Sequence, residues 1–389
     1  MRILVASHTY IVELNCEKLK VLTQIQPDIE VTVVVPKRWQ PGGVQNKLIE
    51  AKPWQDGNFR VVPISNFSQN NQPLLTFGTD IFTLLKEFRP NIIQVEQGSK
   101  SIGYAELITL NRLLGLKAKN CFFTWWNLPY TNKFPISWIE SYNLKHTDGL
   151  VAGNQDAEDI LRDHGYTGRS KVMPQLGVDE KLFSPAPQSE LAAKLGIIEG
   201  EFIIGFVGRF VPEKGILILI KALALLSDLS WKCLLLGRGP LQETILSEAA
   251  AAGIKDRIIL VESVPHDEVP RYINLMSTLV LPSQTSYQVK TLTAVGWKEQ
   301  FGHVLIEAMA CKVPVIGSNS GEIPYVIDEA GLIFPEGDST ALQSNLRQMI
   351  EQPELCQKLA QLGYDRAMNQ YTNQALAKSL LDFYQQISQ

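Results

Sequence analysis

The sequence predicts an α/β protein with two halves, each a mainly parallel β-sheet with helices between the strands. Short runs rich in β-branched residues alternate with helical patterns along most of the chain, which is typical of βαβ units. The alternation stops near Pro185 and Pro187 and then starts again. Because prolines and polar residues interrupt regular structure, this segment predicts a domain boundary.

The elements of the first half follow in order from hydrophobic periodicity. Predicted strands cover residues 2–6, 31–35, 60–62, 92–95, 121–124 and 150–151. Predicted helices cover residues 14–24, 77–88, 104–114, 137–145 and 155–164. Ligands of parallel sheets bind at the carboxyl ends of strands, so the segments 7–10, 96–99 and 125–127 are candidate binding loops.

The second half repeats the alternation and ends in helices. Predicted strands cover residues 202–207, 231–236, 258–261, 279–281, 313–316 and 332–334. Predicted helices cover residues 215–226, 241–251, 268–275, the stretch after Gly302, 340–350, 354–368 and 373–387. We expect the last amphipathic helix to pack on the first half, which predicts domains at 1–185 and 186–370 and a returning helix at 371–389.

Composition excludes several classes of protein. The 389 residues are 45% hydrophobic and 20% charged, which is ordinary for a globular protein with two cores. The net charge of -4 argues against a nucleic-acid partner. The longest apolar tract, 216–236, is interrupted by Lys221, Asp228 and Lys232, so no membrane span is predicted.

Cysteine and acid patterns predict a cytoplasmic protein without a metal site. The five cysteines are odd in number, widely spaced and never in a Cys-x-x-Cys arrangement. This usage indicates a reducing compartment and no disulfide framework or zinc site. The acidic run 156–159 falls on a helical pattern where such acids normally face water.

Two glutamates flank the start of an apolar predicted helix. Glu299 precedes Gly302, and Glu307 lies among Val, Leu, Ile, Ala and Met residues. A helix that is apolar all round is buried, so Glu307 needs a partner for its charge. The residues alone leave two interpretations open. Ribose hydroxyls could satisfy Glu307 while amides near Gly302 bind a diphosphate, or Glu299 complements the helix dipole and Glu307 pairs with a core Arg or Lys.

A second candidate site follows the first predicted strand of the second half. Gly208 permits a sharp turn, and Arg209 and Lys214 lie in one passage from loop to helix. Two cations beside free helical amides suit a diphosphate, and the alternative is a salt-bridged surface loop.

Further candidate binding residues come from the first half. His8 lies in the loop after the first strand, where it either binds a substrate hydroxyl or phosphate or has no chemical role. Trp125 and Trp126 form either a stacking wall for a sugar or ordinary packing. Specificity for a substrate is expected in the loops 39–43 and 125–133.

Six motifs occur together in the order and spacing of a known family, and the similarity covers about residues 90–340. They are Gly208-Arg209 with Glu213-Lys214-Gly215, Leu236-Gly237-x-Gly239-Pro240, Leu281-Pro282-Ser283, Glu299-x7-Glu307-Ala308-Met309-Ala310, Pro314-Val315-Ile316-Gly317-Ser318 and Gly321-Glu322-Ile323-Pro324. The chain thus resembles the retaining nucleotide-sugar glycosyltransferases of family 4 (glycosyl transferases group 1).

The resemblance implies a GT-B fold, in which two Rossmann-like domains face each other across a cleft. It implies that Arg209 and Lys214 hold the diphosphate of a UDP- or GDP-linked sugar, Glu307 binds the ribose and Glu299 contacts the transferred sugar. The implied remaining donor contacts are at Gly208, Val264, Gly302, His303 and Val304. No metal or other cofactor is implied, because side chains neutralise the leaving group.

The resemblance also implies the partners, namely a nucleotide-sugar donor and a glycan or lipid-linked acceptor. A lipid-linked acceptor leaves open a peripheral contact with the inner face of the membrane. Where the family commonly has a Gly-Gly loop this chain has residues 7–10, and Trp126-Asn127 replaces a His-Asp pair. Rival functions on the same fold are a nucleotide-sugar epimerase, a glycan phosphorylase and a non-catalytic donor-binding scaffold.

Overall fold

A computed structural model describes residues 1–40, 47–290 and 295–389. The chain divides into two compact units, one formed by Met1–Gly177 with Asn373–Gln389 and one by Val178–Thr372. Both units are parallel α/β sheets with helices, so the predicted fold class of two Rossmann-like domains is confirmed. The sequence analysis had placed the divisions after residues 185 and 370.

The first unit contains one large sheet. Its strands and the small pair beside it are β1 (Arg2–Ala6), β2 (Glu30–Pro36), β3 (Arg38–Trp39), β4 (Ile49–Glu50), β5 (Trp54–Asp56), β6 (Phe59–Ile64), β7 (Ile92–Val95), β8 (Lys119–Thr124), β9 (Gly149–Ala152) and β10 (Arg169–Val172). The helices between them are α1 (Glu17–Ile25), α2 (Asp80–Phe88), α3 (Ile102–Leu113), α4 (Ile136–Lys145) and α5 (Gln155–Asp163). The sheet runs in the order β10-β9-β8-β7-β1-β2-β6-β5, and only its edge strand β5 is antiparallel to its neighbour within the described residues.

The second unit is a wholly parallel sheet with a short hairpin beside it. Its strands are β11 (Ile203–Val207), β12 (Lys232–Leu236), β13 (Ile258–Val261), β14 (Thr278–Leu281), the hairpin β15 (Ser286–Lys290) and β16 (Val295–Trp297), β17 (Val315–Ser318) and β18 (Gly331–Phe334). Its helices are α6 (Ser189–Lys194), α7 (Ile216–Ala224), α8 (Gln242–Ala251), α9 (Val269–Ile273), α10 (His303–Ala310), α11 (Ile323–Ile327), α12 (Ser339–Glu351) and α13 (Pro353–Arg366). The sheet order is β13-β12-β11-β14-β17-β18.

The last helix, α14 (Asn373–Ser388), packs on α1 of the first unit, as predicted. Leu380 and Tyr384 on α14 are fully buried in the same core cluster as Leu19 and Leu22 on α1. The Tyr384 hydroxyl also donates a hydrogen bond of 2.8 Å to Oε1 of Gln94 in β7. The amphipathic pattern of the last helix was therefore the pattern of a core element.

Each sheet has a point where the strand order reverses direction. In the first unit this point lies between β1 and β7, and in the second it lies between β11 and β14. Loops that leave the carboxyl ends of two such strands diverge to opposite faces of the sheet and leave a crevice. Ligand-binding residues are therefore expected at 7–10 and 96–99 in one unit, and at 208–214 and 282–283 in the other.

Several elements differ from the sequence prediction. The strand β10 and the hairpin β15–β16 carry many polar or exposed residues, so hydrophobic periodicity did not predict them. A π-helical turn, Ala367–Tyr371, follows α13 where a continuous helix to residue 368 was predicted. None of the helices in the described part of the chain is long and apolar enough to cross a bilayer.

Candidate active site

The loop after β11 has the backbone that the glycine pattern predicted. Gly208 has a φ of 157°, and its amide donates a hydrogen bond of 3.0 Å to the carbonyl of Leu236 at the end of β12. Gly215 has a φ of 65°, and a Cβ at this position would lie 1.7 Å from the carbonyl oxygen of Pro282. Only glycine permits this close approach of two loops, one at the start of α7 and one after β14.

This close approach brings Lys214 to Glu299. The Lys214 Nζ donates a hydrogen bond of 2.6 Å to Oε2 of Glu299, and the Ser283 hydroxyl donates one of 2.7 Å to the same oxygen. Both charged side chains are largely buried. The Lys214 ammonium also lies 5.1 Å from the ring centroid of Trp297, a cation–π distance. A cation, a carboxylate and a hydroxyl from three separate loops thus meet at one point.

The loop before α11 fixes the backbone at Glu299. The Glu322 amide donates a hydrogen bond of 3.3 Å to the Glu299 carbonyl, and a Cβ at Gly321 would lie 1.9 Å from that oxygen. The motif Gly321-Glu322 therefore acts by positioning Glu299. Because Glu299 lies before α10 and is held by Lys214 and Ser283, the geometry favours a site residue over a partner of the helix dipole.

Arg209 is the more accessible of the two predicted diphosphate cations. Its guanidinium is half exposed, and Nη2 lies 3.7 Å from Oε1 of Glu213 in the same loop. An exposed ion pair of this kind is weak, so Arg209 can turn to an anionic ligand at small cost.

The start of α10 offers unoccupied backbone donors. Gly302 has a φ of 83° and precedes the first residue, His303. No side chain of the described residues caps this helix, and its first turn contains no acid. The amides of His303 and Val304 have no acceptor within the helix, because the first turn of any α-helix lacks one. The N-terminus of α10 can therefore receive an anionic or hydroxyl oxygen.

Glu307 has no cationic Arg or Lys partner within ion-pair distance among the described residues. Its neighbours are two histidines, with Nε2 of His303 at 3.8 Å and Nε2 of His266 at 3.9 Å from Oε1. Both distances exceed a hydrogen bond. The open alternative of a core Arg or Lys pair for Glu307 is therefore wrong.

Burial changes the pKa of this cluster. Desolvation raises the pKa of Glu307 from 4.5 to about 7 and lowers that of His303 from 6.5 to about 4. Desolvation also lowers the pKa of His266. Burial thus favours the neutral form of all three side chains. Neither histidine is close enough to Glu307 for a hydrogen bond. A ligand with two hydroxyl donors would supply what the Glu307 carboxylate lacks.

The sequence analysis missed His266, Ser283 and Trp297. His266 follows Val264 by two residues in the mostly exposed loop after β13, and its ring lies 3.9 Å from Glu307. A signal for Ser283 was present, because it directly follows β14 in the motif Leu281-Pro282-Ser283. No pattern in the sequence indicated that Trp297 would cover Lys214.

In the first unit, His8 lies at the carboxyl end of β1, as predicted. Its ring is 4.8 Å from that of Trp39, and its Nδ1 is buried without a hydrogen-bond partner in the described part of the chain. Desolvation lowers the pKa of His8 to about 4, so the ring is neutral at pH 7. Residues 41–43 of the predicted specificity loop 39–43 lie outside the described residues.

Trp126 and Asn127 lie in the loop after β8. The Trp126 indole N–H donates a hydrogen bond of 2.6 Å to the Leu128 carbonyl, and the Lys100 ammonium lies 4.8 Å from the Trp126 ring. Asn127 is buried. Since β7 lies between β1 and β8, His8 and Trp126 stand on loops of the same sheet edge but not of neighbouring strands.

Residues 1–40, 47–290 and 295–389 contain no group of three or more His, Cys, Asp or Glu side chains arranged to hold a metal ion. The five cysteines, all at described positions, are free.

Comparison with known sequences gives a family match in the second unit. Residues 187–366 match the family model described as glycosyl transferases group 1. The chain is 27% identical over 210 residues to N-acetyl-alpha-D-glucosaminyl L-malate synthase of Bacillus anthracis, covering 53% of this chain and 51% of the relative. It is 26% identical over 255 residues to D-inositol 3-phosphate glycosyltransferase of Segniliparus rotundus, covering 63% and 54%. The chain thus spans about half the length of these curated relatives.

Comparison with solved structures covers the whole chain. Sucrose-phosphate synthase from Thermosynechococcus elongatus has a TM-score of 0.68 at 20% identity, over 100% of this chain and 99% of that one. The Anabaena protein HepE in complex with UDP has a TM-score of 0.68 at 17% identity, over 99% and 100%. At these identities the likeness shows the fold, which is GT-B. The segment 187–366 therefore matches the glycosyl transferases group 1 family, in a protein of GT-B fold.

Proposed function

We propose that this protein is a retaining, metal-independent glycosyltransferase that moves a hexose from a UDP- or GDP-linked donor to a glycan or lipid-linked acceptor. The observation that carries the proposal is the buried contact of Lys214 and Ser283 with Glu299 at the switch point of the second sheet. Support comes from the family match of this unit and from HepE, which was solved with UDP and with UDP-glucose.

The donor diphosphate would lie between the loop after β11 and the start of α10. Arg209 and Lys214 supply two positive charges, and the amides of His303 and Val304 supply neutral donors. These groups stabilise the charge that develops on the departing diphosphate, the role that a divalent cation has in other transferases.

Glu307 and Glu299 would hold the sugars of the donor. A ribose presents two adjacent hydroxyls, and the Glu307 carboxylate has two oxygens that lack hydrogen bonds from described residues. Lys214 and Ser283 orient Glu299, and its carboxylate can accept a hydrogen bond from a hydroxyl of the transferred hexose. Val264 and His266 would lie toward the base.

The chemical step replaces one bond at the anomeric carbon by another. The bond from this carbon to the diphosphate oxygen breaks with its electron pair on the oxygen. An acceptor hydroxyl oxygen bonds to the same face of the carbon, and its proton passes to the departing diphosphate. Positioning and stabilisation of the leaving group supply the catalysis, so no protein nucleophile is needed.

The test is release of nucleotide from a panel of UDP- and GDP-sugars with and without acceptors. We expect one donor to be used, the product to keep the anomeric configuration, and Lys214→Ala and Glu307→Ala each to lower turnover by about 30-fold or more. Lys232→Ala is a matched control, because Lys232 is ion-paired with Glu201 at 3.1 Å but lies at the amino end of β12, away from the carboxyl ends of the strands. EDTA should not change the rate.

Three outcomes would contradict the proposal. Conversion of the free nucleotide sugar without acceptor would show an epimerase. Donor binding without turnover of any acceptor would show a binding scaffold. Turnover that is unchanged in Lys214→Ala and Glu307→Ala would show that the chemistry occurs elsewhere.

A further inference from the structure

One face of the first sheet changes from apolar to polar where its strands begin. Arg2 in β1 pairs with Glu30 in β2, and Thr32 in β2 pairs with Arg60 in β6. Paired residues of neighbouring strands and alternate residues of one strand share a face, so these four side chains form a polar row. Strands of parallel sheets are usually apolar on both faces, because helices cover them. Packing of the core therefore does not account for this row.

The helix α2 covers this face but ends at the polar row. Leu85 and Phe88 of α2 belong to the same core cluster as Leu4 and Val34 in the strands. Nη1 of Arg2 donates a hydrogen bond of 2.8 Å to the carbonyl of Phe88, the last residue of α2. The amino ends of the strands thus extend past the helix that packs on them.

A cavity of about 320 Å³ lies at this place, between the polar row, the end of α2 and the turn between β5 and β6. Its volume is at the lower end of the range for small-molecule sites, about 300–1,000 Å³. The lining includes the fully buried Thr32 and the exposed side chains of Glu30 and Glu87. The cavity therefore leads from solvent to a buried hydroxyl.

A second cavity, of about 350 Å³, adjoins the first. Gly57 and Asn58, in the turn between β5 and β6, line both cavities. The second cavity is also lined by Gln24 of α1 and by Lys20 and Asp56, which form an ion pair of 2.7 Å. We call the two cavities together the amino-end groove. Two polar cavities in a row suit successive units of a chain-like ligand.

The charges of the first cavity are balanced but not paired. Arg2 and Arg60 line it together with Glu30 and Glu87, yet none of the four has an ion pair within 4.0 Å in the described part of the chain. Nε of Arg60 donates a hydrogen bond of 2.9 Å to the Thr32 hydroxyl. Each guanidinium thus donates to one neutral oxygen, and its remaining N–H groups have no acceptor among the described residues.

These groups suit a ligand that donates and accepts hydrogen bonds and has no net charge. Guanidiniums only donate and carboxylates only accept, whereas a hydroxyl does both. A phosphate would be attracted by the two arginines but repelled by Glu30, by Glu87 and by the carbonyl end of α2. A peptide would need apolar anchors. Phe88 supplies none, because its ring is 6% exposed and lies 5.2 Å from the Arg60 guanidinium carbon.

We propose that the amino-end groove binds a neutral oligosaccharide. Hydroxyls of one sugar accept hydrogen bonds from Arg2 and Arg60 and donate to Glu30 and Glu87. The next sugar passes Asn58 and enters the second cavity. The inference goes beyond the proposed function, because the groove lies at the amino end of the first sheet, whereas the candidate donor site lies at the carboxyl end of the second.

The test is binding of oligosaccharides to the full chain without a nucleotide sugar. An array of neutral and phosphorylated oligosaccharides selects the ligand, and calorimetric titration measures its affinity. We expect a neutral oligosaccharide to bind, with an affinity that is nearly the same at low and high salt, because an uncharged ligand is not screened. Inorganic phosphate should not compete with it.

The variant Glu30→Ala with Glu87→Ala removes both carboxylates and should weaken binding about tenfold or more. Neither side chain has a hydrogen bond or ion pair to another described residue, so circular dichroism should show the variant folded. Glu243→Ala with Glu248→Ala on α8 is the matched control. It removes two exposed glutamates and makes the same change in net charge, and its binding should equal that of the wild type.

Four results would overturn the proposal. These are no binding of any neutral oligosaccharide, unchanged binding in Glu30→Ala with Glu87→Ala, and equal loss in the control variant. The fourth is binding of inorganic phosphate or phosphorylated sugars alone, which would make the groove an anion site. Because no turnover is measured, each of these results leaves the proposed function standing, and a lack of transferase activity would leave this inference standing.

Discussion

Replacing Glu307 by glutamine should stabilise the ligand-free protein near pH 8 while weakening its affinity for a nucleotide sugar. The Glu307 carboxyl is only 7% exposed, and burial raises its pKa from 4.5 to about 7. The ionised form is therefore less favourable in the folded protein than in the unfolded chain. An amide of nearly the same shape carries no charge to desolvate.

The pH window follows from these two pKa values. Below about pH 4.5 the Glu307 carboxyl is protonated in both the folded and the unfolded protein, so it does not destabilise the fold. The penalty grows as the pH rises from 4.5 to about 7 and is complete above pH 7. The two pKa values, 7 and 4.5, differ by about 2.5, which corresponds to about 3 kcal/mol in the free energy of unfolding. Because glutamine must also lose water on burial, we expect a gain of about 1–2 kcal/mol, or ~5 °C in Tm, at pH 8.

Glu140 in the first unit provides a control of opposite sign. Burial would raise its pKa, but hydrogen bonds from Ser99, Tyr130 and His164 outweigh burial and lower the pKa below 4.5. Its ionised form therefore stabilises the fold above pH 4.5, and this stability is lost as the pH falls through the lowered pKa. Glu140→Gln should destabilise the protein by ~1–3 kcal/mol at pH 8.

The assay is urea unfolding at pH 5 and pH 8, followed by tryptophan fluorescence, with calorimetric titration of a UDP- or GDP-sugar. The reasoning is refuted if Glu307→Gln destabilises the protein at pH 8, or if its gain is the same at pH 5. Either result would mean that the Glu307 carboxylate is already satisfied without ligand. Tight nucleotide-sugar binding by Glu307→Gln would show that the carboxylate is not a ligand of the ribose.

Four further results are expected. Nucleotide-sugar affinity, measured by calorimetry, should rise by up to about tenfold per pH unit below pH 7, because ribose hydroxyls favour the ionised form of Glu307. In Glu307→Gln the affinity should not depend on pH. Lys214→Ala leaves Glu299 without its cation, so kcat/KM in the nucleotide-release assay should fall by about 30-fold or more, and a smaller loss would contradict the role. Gly215→Ala places a Cβ 1.7 Å from a carbonyl oxygen, so urea unfolding should show a loss of more than about 3 kcal/mol. Leu380→Ala should cost ~2–5 kcal/mol, and a cost near zero would contradict the packing of α14 in the core.

The central strands could be predicted from the sequence because they are buried on both faces. Arg2–Ala6 and Ile92–Val95 agree with the predicted bounds, and their apolar residues are almost completely buried. Edge elements could not be predicted in this way. β10 reads Arg-Ser-Lys-Val, and its pairing with β9 depends on backbone hydrogen bonds, which leave little mark on side-chain patterns.

The candidate site divides in the same way. Gly208 was identified from its turn and Gly215 from the spacing of its motif, and the structure gives both a positive φ. His266 and Ser283 were not identified, because each acts through a residue distant in sequence. Periodicity and local spacing contain no information about such contacts.

The sequence by itself determined the class of fold, the repeated βα order, the buried environment of Glu307 and the set of charged residues near the second switch point. Only the tertiary structure decided which groups meet. Glu299 faces Lys214 because two glycines let the loops around them approach, and Glu307 faces two neutral histidines instead of a cation. The reason is physical: propensity and hydrophobic period act over a few neighbouring residues, whereas partners for a buried charge come from loops that the sheet order brings together.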